Sequence, residues 1–415
     1  MVGWYCAGSS SECDWLKRDL LVHEVLEAQA RHRPDRVAVE VVHDELLRQC
    51  RPEVSSVAYT YGDIERMAAS LAHKLIDFLG ADIREEPKVL VLVEEGVGLV
   101  VCELGALKAG AAFVPVDPNW PAERQAFIAR DSCSRVILLP RAHAEVLRNN
   151  LARAGLELSD CQDAVLGSVV GVVWEDVVEN IFDDTCRSIP HLPPPFGMER
   201  RGSRCSHIVY TSGTSGSPKG VVCEHAGLLA YMHAKCITHE ILPYPETAAE
   251  SARGQAAERG SRPSRVLLTS AATWDPSLGD IFSTLGAGAV LCMAPRAALL
   301  SHLRVVLYLS RATHVLTTAP LWDLLGDRIG PDDVPNLEVL ALGGAPFPRH
   351  YISRWARGAA SEGHRGAGSA GGGGGGQGGS LRVLRLLNTY GLSLPELPCF
   401  CIGVRQQQHL SDACV

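Results

Sequence analysis

Between Tyr210 and Gly220 the chain reads YTSGTSGSPKG. Gly213, Gly216 and Gly220 let the backbone take φ > 0 and approach a ligand closely. Successive N–H groups in such a loop form a concavity suited to an anion. Thr211, Ser212, Thr214, Ser215 and Ser217 add hydroxyl donors, and Lys219 adds a compact positive charge that suits phosphate. A loop that binds polyphosphate needs this inventory. It is not the G-x-x-x-x-G-K-[ST] loop, because Pro218 precedes Lys219 and Gly220 follows it. A flexible Ser/Gly linker is the competing reading, and for Lys219 alone a surface lysine. The flanks favour a binding loop: His207-Ile208-Val209-Tyr210 predicts a buried strand feeding it, and Val221-Val222 predicts another leaving it.

The elements that must position this loop can be read upstream. Residues 1–18 are expected to be an irregular tail. Leu21, Val25 and Ala28 share one face of a helix from Leu21 to Arg31, stopped by Pro34, and Val37 to Val42 follows as a strand. Ile64, Met67, Ala68, Leu71 and Leu75 repeat at helical spacing, with Asp63 as the expected N-cap and Gly80 as the stop. Val89 to Val93 is a continuous apolar run, typical of a strand buried on both faces. A helix-length segment to Lys108, a strand from Ala112 to Val116, a helix from Ala122 to Asp131 and a strand from Val136 to Leu139 come next. Strand alternating with helix predicts an α/β fold with a parallel sheet and crossover helices. Residues 246–263 and 361–380, the latter with an unbroken Gly371 to Gly376, read as solvated insertions that have nothing to bury.

Composition excludes several classes. A 415-residue chain with 46% hydrophobic and 21% charged residues is globular in type. Its net charge of −8 and the lack of a basic run argue against nucleic-acid binding. The fourteen cysteines are scattered without a CxxC, and Cys399 and Cys401 have no partners at zinc spacing, so buried thiols in a reducing compartment are expected. Glu12, Asp14 and Asp19 interrupt the N-terminus, which does not read as a secretory signal. The apolar stretch from Val97 to Val116 is broken by Glu103 and Lys108, so no membrane span is expected. A cytoplasmic location is the resulting expectation.

The loop sequence resembles the phosphate-binding signature of the adenylate-forming (ANL) superfamily of AMP-dependent synthetases and ligases. That superfamily includes acyl-CoA synthetases, luciferases and nonribosomal peptide synthetase adenylation domains. Its pattern, roughly Y-T-S-G-T-[ST]-G-x-P-K-G, is matched here at every specified position. Leu107 to Ser132, LKAGAAFVPVDPNWPAERQAFIARDS, is similar to a structural stretch of the amino-acid-activating members. The resemblance implies an N-terminal domain of two parallel-rich sheets with flanking helices over about residues 19–400, and a second tail at 401–415. It implies that Thr211, Ser212, Gly213, Thr214, Ser215, Gly216 and Lys219 hold ATP phosphates.

Three further segments carry the resemblance. Trp274-Asp275-Pro276-Ser277 is similar to [FY]-D-x-S, whose aspartate pairs with the substrate ammonium; a partly buried carboxylate and an ammonium offset each other's desolvation. An N-cap role for Asp275, with Pro276 at the first helical position, stands beside that reading. Leu340 to Ala345 resembles a glycine pair packed on adenine, with Ala345 where an acidic residue is usual, so Gly343 and Gly344 carry over. Asn388-Thr389-Tyr390-Gly391 resembles N-x-Y-G-x-T-E, in which Asn388 and Tyr390 would bracket adenine. The pattern breaks after Gly391, leaving Ser393 as a stand-in for the threonine and Glu396 as a displaced ligand for Mg2+. Substrate-pocket positions are expected near Asp275, Gly279, Ala341, Gly343 and Thr389.

Family members continue with a small barrel and a mobile domain carrying a catalytic lysine. No segment after Tyr390 matches them, so the chain is expected to be the N-terminal part of such a protein, with no catalytic residue assignable. The function implied is ATP-dependent activation of a carboxylate, an amino acid, as its acyl-adenylate. Pyrophosphate is released, and transfer to the pantetheine thiol of a carrier domain follows. Relatives of this kind are peptide synthetase modules and β-alanine-activating (aminoadipate-semialdehyde-dehydrogenase-like) enzymes. A non-catalytic nucleotide-binding remnant or gene fragment is the alternative, and an acyl-CoA synthetase a third.

Overall fold

The computed structural model describes residues 20–42, 56–79, 86–159, 169–179, 201–211, 218–245, 262–326, 329–344, 355 and 385–389. The expected tails, the insertion at 361–380 and most of the one at 246–263 lie outside them.

Helix α1 (Val22–His32) leads into strand β1 (Val37–Val42), which pairs antiparallel with β2 (Ser56–Thr60). Helix α2 (Tyr61–Leu79) starts two residues before the expected cap. Thr60 is the capping residue: its N–H donates to Asp63 Oδ2 at 2.8 Å, and the Asp63 N–H donates back to Thr60 Oγ1 at 3.1 Å. Asp63 therefore closes a capping box from the third helical position rather than standing outside the helix. Gly80, the expected stop, lies outside the described residues.

Then follow β3 (Lys88–Val91), α3 (Val97–Lys108), β4 (Ala112–Pro115), α4 (Ala122–Asp131) and β5 (Val136–Leu139). The alternation read from the sequence is present, with boundaries shifted by one or two residues. Helix α5 (Ala144–Arg153), β6 (Val170–Val173), α6 (Trp174–Val178), β7 (Cys205–Thr211), β8 (Lys219–Glu224) and α7 (His225–His239) come next. The chain continues through β9 (Arg265–Leu267), α8 (Asp275–Ala287), β10 (Val290–Met293), α9 (Arg296–Ser310), β11 (His314–Thr317), α10 (Ala319–Trp322), β12 (Val339–Gly343) and β13 (Arg385–Thr389).

Two sheets form. One has the order β13-β12-β11-β9-β10-β1-β2, the other β6-β5-β3-β4-β7-β8. Every pairing is parallel except β1 with β2 and β7 with β8. Strand residues alternate between faces, which accounts for the unbroken apolar runs. Val89 and Val91 face a central core, whereas Leu90 and Leu92 face an outer one with α4 and α5. Leu291 and Met293 likewise face the centre, and Val290 and Cys292 face an outer layer with α9. The central core joins both sheets to α1, α2, α3, α7 and α8, so the order of layers is helix, sheet, helix, sheet, helix.

Polar groups that helices carry into the central core must be neutralised. Lys108 ends α3 paired with Glu27 and, at 2.7 Å, with Glu65. Lys235 of α7 meets Asp280 of α8 at 2.6 Å, with side chains 2% and 1% exposed. Glu103 of α3 has both carboxyl oxygens buried with no hydrogen-bond partner among the described residues, and burial pushes its pKa well above the ordinary range.

Burial also holds His23 and His207 down to about 3 and His314 to about 4. These imidazoles stay neutral when folded, whereas the unfolded chain protonates them as pH falls through about 6.5. Stability is therefore lost from there down to about 3–4. Glu103 acts in the opposite sense: the unfolded chain releases its proton above about 4.5 while the folded chain keeps it, so stability falls as pH rises. Glu103→Met should stabilise the protein, by an amount that grows as pH rises above the unfolded carboxyl's ordinary value of about 4.5. Denaturant titrations above that value check it, and a pH-independent difference would contradict it. In the same assay Lys235→Met should cost about 3–5 kcal/mol by stranding Asp280, and adding Asp280→Leu should recover most of that.

Candidate active site

In an open α/β sheet, ligands bind beyond the carboxyl ends of the strands where the order reverses. The first sheet reverses at β9: the chain moves from β9 to β10 on one side and returns to β11 on the other. Thr269 Oγ1 spans that point, donating to Leu316 O at 2.5 Å, and Arg296 Nη1 donates to Thr269 O at 2.6 Å. The second sheet reverses at β3, which lies between β4 and β5. The turn after β3 carries Glu95, whose Oε1 accepts the Ala272 N–H at 3.2 Å. The two crevices thus meet at the segment that opens α8.

Trp274-Asp275-Pro276-Ser277 builds that opening. Trp274 is the N-cap residue, with φ −119° and ψ 132°, and α8 begins at Asp275 itself. Asp275 is therefore not the N-cap. It stands half-buried in the first turn, where a negative charge complements the helix N-terminus. Ser277 folds back: its Oγ donates to Trp274 O at 2.7 Å and Ala272 O at 3.2 Å. The serine of the motif is thus a brace that sets the angle at which Asp275 leaves the loop.

Trp274 is 41% exposed, and its indole packs over Gly344, the residue that follows β12. Gly344 has φ +78°, and a Cβ there would lie 3.3 Å from Trp274 Cη2 and 3.6 Å from Thr318 Cγ2. The backbone needs a left-handed residue at this place, and the indole leaves little room for a side chain. Gly343 is half-buried and Gly344 exposed, so backbone faces solvent beside the indole. The register places Asn388 next to Leu342 and Thr389 next to Gly343 on the neighbouring strand. Ala341, expected near a pocket, is fully buried. Three of the four segments singled out in the sequence therefore share one sheet edge. Tyr390, Ser393 and Glu396 lie outside the described residues.

The fourth segment is the hairpin of β7 and β8. Thr211 pairs with Lys219, and Tyr210 with Gly220, so the antiparallel ladder runs to the ends of both strands. Lys219 is an exposed residue of β8 directly across from Thr211. Ser212, Gly213, Thr214, Ser215 and Gly216 lie outside the described residues. Tyr210 points away from this turn: its hydroxyl donates to Asp131 Oδ2 at 2.7 Å within the outer core, and burial with that bond raises its pKa. The phenol is thus part of the scaffold. On the inner face, His207 stacks on Phe113 at 5.4 Å, and Phe113 on Phe282 at 5.9 Å. This ring stack runs from the hairpin strand, through β4, to the helix that carries Asp275.

Sequence reasoning missed Glu95, Thr269 and Tyr231. The first two follow strand ends, and only the topology shows which ends meet. Tyr231 comes from α7, and its ring tip occupies the space over Gly279 of α8: a Cβ at 279 would overlap it. Gly279, expected as a pocket position, is the seat of that ring. Among the described residues no group of three or more His, Cys, Asp or Glu side chains is arranged to hold a metal ion. Nor is any helix there long and apolar enough to cross a membrane. The free cysteines described are buried or half-buried except Cys133.

A family model for AMP-binding enzymes matches residues 26–369. Nonribosomal peptide synthetase agiA of Aspergillus flavus is 27% identical over 338 residues, covering 80% of this chain and 4% of that protein. Nonribosomal peptide synthetase sidE of Aspergillus fumigatus is 28% identical over 332 residues, covering 80% and 13%. The chain thus spans a small part of the length of these relatives. Among solved structures, the nonribosomal peptide synthetase FmoA3 in its alpha-methyl-L-serine-AMP bound form superposes with a TM-score of 0.62 at 18% identity, covering 92% of this chain and 34% of that one. Its AMPPNP-bound form gives 0.60 at 19% identity, covering 90% and 31%. The fold is that of the large part of an adenylation domain, and the family match over residues 26–369 places this chain among the AMP-binding enzymes.

Proposed function

We propose that the protein activates an amino acid with ATP. A substrate carboxylate oxygen bonds to the α-phosphorus, the bond from that phosphorus to the β-phosphate bridging oxygen breaks, and pyrophosphate leaves. The product is an aminoacyl-adenylate, which passes to the pantetheine thiol of a carrier domain with release of AMP. The observation that carries this reading is the packing of Trp274 on Gly344, which sets Asp275 and the glycine pair at one strand-end crevice. Kinship with peptide synthetases and the aminoacyl-AMP named for the FmoA3 structure support it.

In this reading Gly343 and Gly344 offer flat backbone to adenine, with Asn388 and Tyr390 on its other side. Thr211 and Lys219 fix the two ends of the turn, and Ser212, Gly213, Thr214, Ser215 and Gly216 supply N–H and hydroxyl donors to the phosphates. Two anions must meet, so the work of the site is positioning and charge neutralisation. Asp275 holds the substrate ammonium and so points the carboxylate towards the phosphate. A magnesium ion would neutralise phosphate charge; its assigned ligand, Glu396, lies outside the described residues, and no step is derived through it. The free thiols among the described residues, mostly buried, fit a reducing, cytoplasmic setting.

Calorimetric titration separates the parts of this reading without requiring turnover. AMP and a non-hydrolysable alanyl-adenylate analogue should both bind, the analogue more tightly. Asp275→Ala should weaken the analogue by about 2–5 kcal/mol and leave AMP unchanged. Equal loss for both ligands, or no loss for the analogue, would contradict the ammonium assignment. Gly344→Val should lower AMP affinity at least tenfold, because φ +78° and the indole both oppose a branched side chain. Unchanged AMP affinity in the folded variant would contradict the adenine assignment.

A further inference from the structure

Side chains of helix α7 seat on α8 at two glycines spaced two turns apart, Gly279 and Gly286. Gly286 receives Met232, whose Cε would lie 2.7 Å from a Cβ at that position. Gly279 receives Tyr231, whose Cζ, Oη and Cε1 all fall where a side chain at 279 would begin. Position 279 lies four residues after Asp275, hence on the same helix face, one turn further in. The phenol tip therefore stands on the helix face that Asp275 heads.

Two features hold Tyr231 there. Its ring packs against the central core. Lys235, one turn along α7, lies with Nζ 5.9 Å from the ring centroid and is tied at 2.6 Å to Asp280, the residue after Gly279. The ion pair is buried, so Lys235 stays under the ring and the ring stays over Gly279. A rotamer that lifted the phenol would uncover backbone at Gly279 and leave an empty space between two central helices.

We propose that Tyr231 is a specificity-determining residue that closes the end of the substrate side-chain pocket and restricts the enzyme to amino acids with small side chains, of alanine or serine size. The proposal rests on the reading of Asp275 as the ammonium anchor. With the ammonium there, a side chain directed along α8 has about one helical turn, roughly 5–6 Å, before it meets the phenol. That accommodates one or two heavy atoms and excludes leucine or phenylalanine. The wall that a bulky residue at 279 would supply from α8 is supplied here from α7. Glycine at 279 thus does not signify a deep pocket.

The test titrates non-hydrolysable adenylate analogues of alanine, serine, leucine and phenylalanine into the full chain and its variants, with thermal unfolding as a check on folding. The wild-type protein should bind the alanine and serine analogues at least tenfold more tightly than the leucine and phenylalanine analogues, the usual scale for misfit in an apolar pocket. Tyr231→Ala, or Tyr231→Val if the former does not fold, should bring the leucine analogue to within a few-fold of alanine or past it. Adding Gly279→Leu to Tyr231→Ala refills the space from α8 and should restore the preference for small side chains. A purely structural tyrosine would lower the unfolding temperature without altering the ranking, and that result overturns the proposal. Wild-type protein that binds the leucine analogue as well as the alanine one overturns it too, leaving the ammonium assignment intact. Wild-type protein that binds none of the four overturns both.

Discussion

The structure depends on the burial of α8 between two sheets. Residues Ser277 to Gly286 are buried without interruption, so the helix has no solvent face to spare. Every neighbour must fit it. Phe282 enters the ring stack that reaches the hairpin strand through Phe113 and His207. The Tyr61 hydroxyl donates to Leu285 O and Ala289 O, and Gln29 Nε2 donates to Gly286 O. Asp280 is tolerated only because Lys235 arrives from α7. A helix fixed on all sides opens to the crevice at one end, and Asp275 stands at that end.

This arrangement gives the site its precision. The carboxylate is carried by the first turn of a helix that cannot rotate or slide without opening the central core. Its entry angle is set by Ser277 folding back on the loop and by Glu95 reaching across from the second sheet. Trp274 then packs over Gly344 at the end of β12. The hairpin of β7 and β8 belongs to the other sheet, yet the stacked rings key its first strand to the same helix. Ligand groups with different chemistry can thus be held by loops while the distances among them are set by the core.

The sequence made the local pieces legible and left their meeting places hidden. Continuous apolar runs such as Val89 to Val93 declared strands buried on both faces, and helix positions on α2 followed from Ile64, Met67 and Leu71. Capping was misplaced at Asp63 and Asp275 because an acidic residue marks either the cap or the first turn, and only the backbone shows which. Tyr210 read as the end of a buried strand, but the face it takes did not show; strand alternation turns it to the outer core. Gly279 is expected near a pocket from the resemblance alone, and nothing local to it announces the ring of Tyr231, 48 positions earlier in the chain, that stands over it. Contacts of that range leave no local pattern.

The most direct measurement is a crystal structure of the protein with a non-hydrolysable alanyl-adenylate. The account predicts the ligand's ammonium hydrogen-bonded to the Asp275 carboxylate, adenine lying on Gly343 and Gly344, and the methyl group facing Tyr231. An adenylate seated in another crevice, or an Asp275 turned away from a ligand bound in this one, would contradict it.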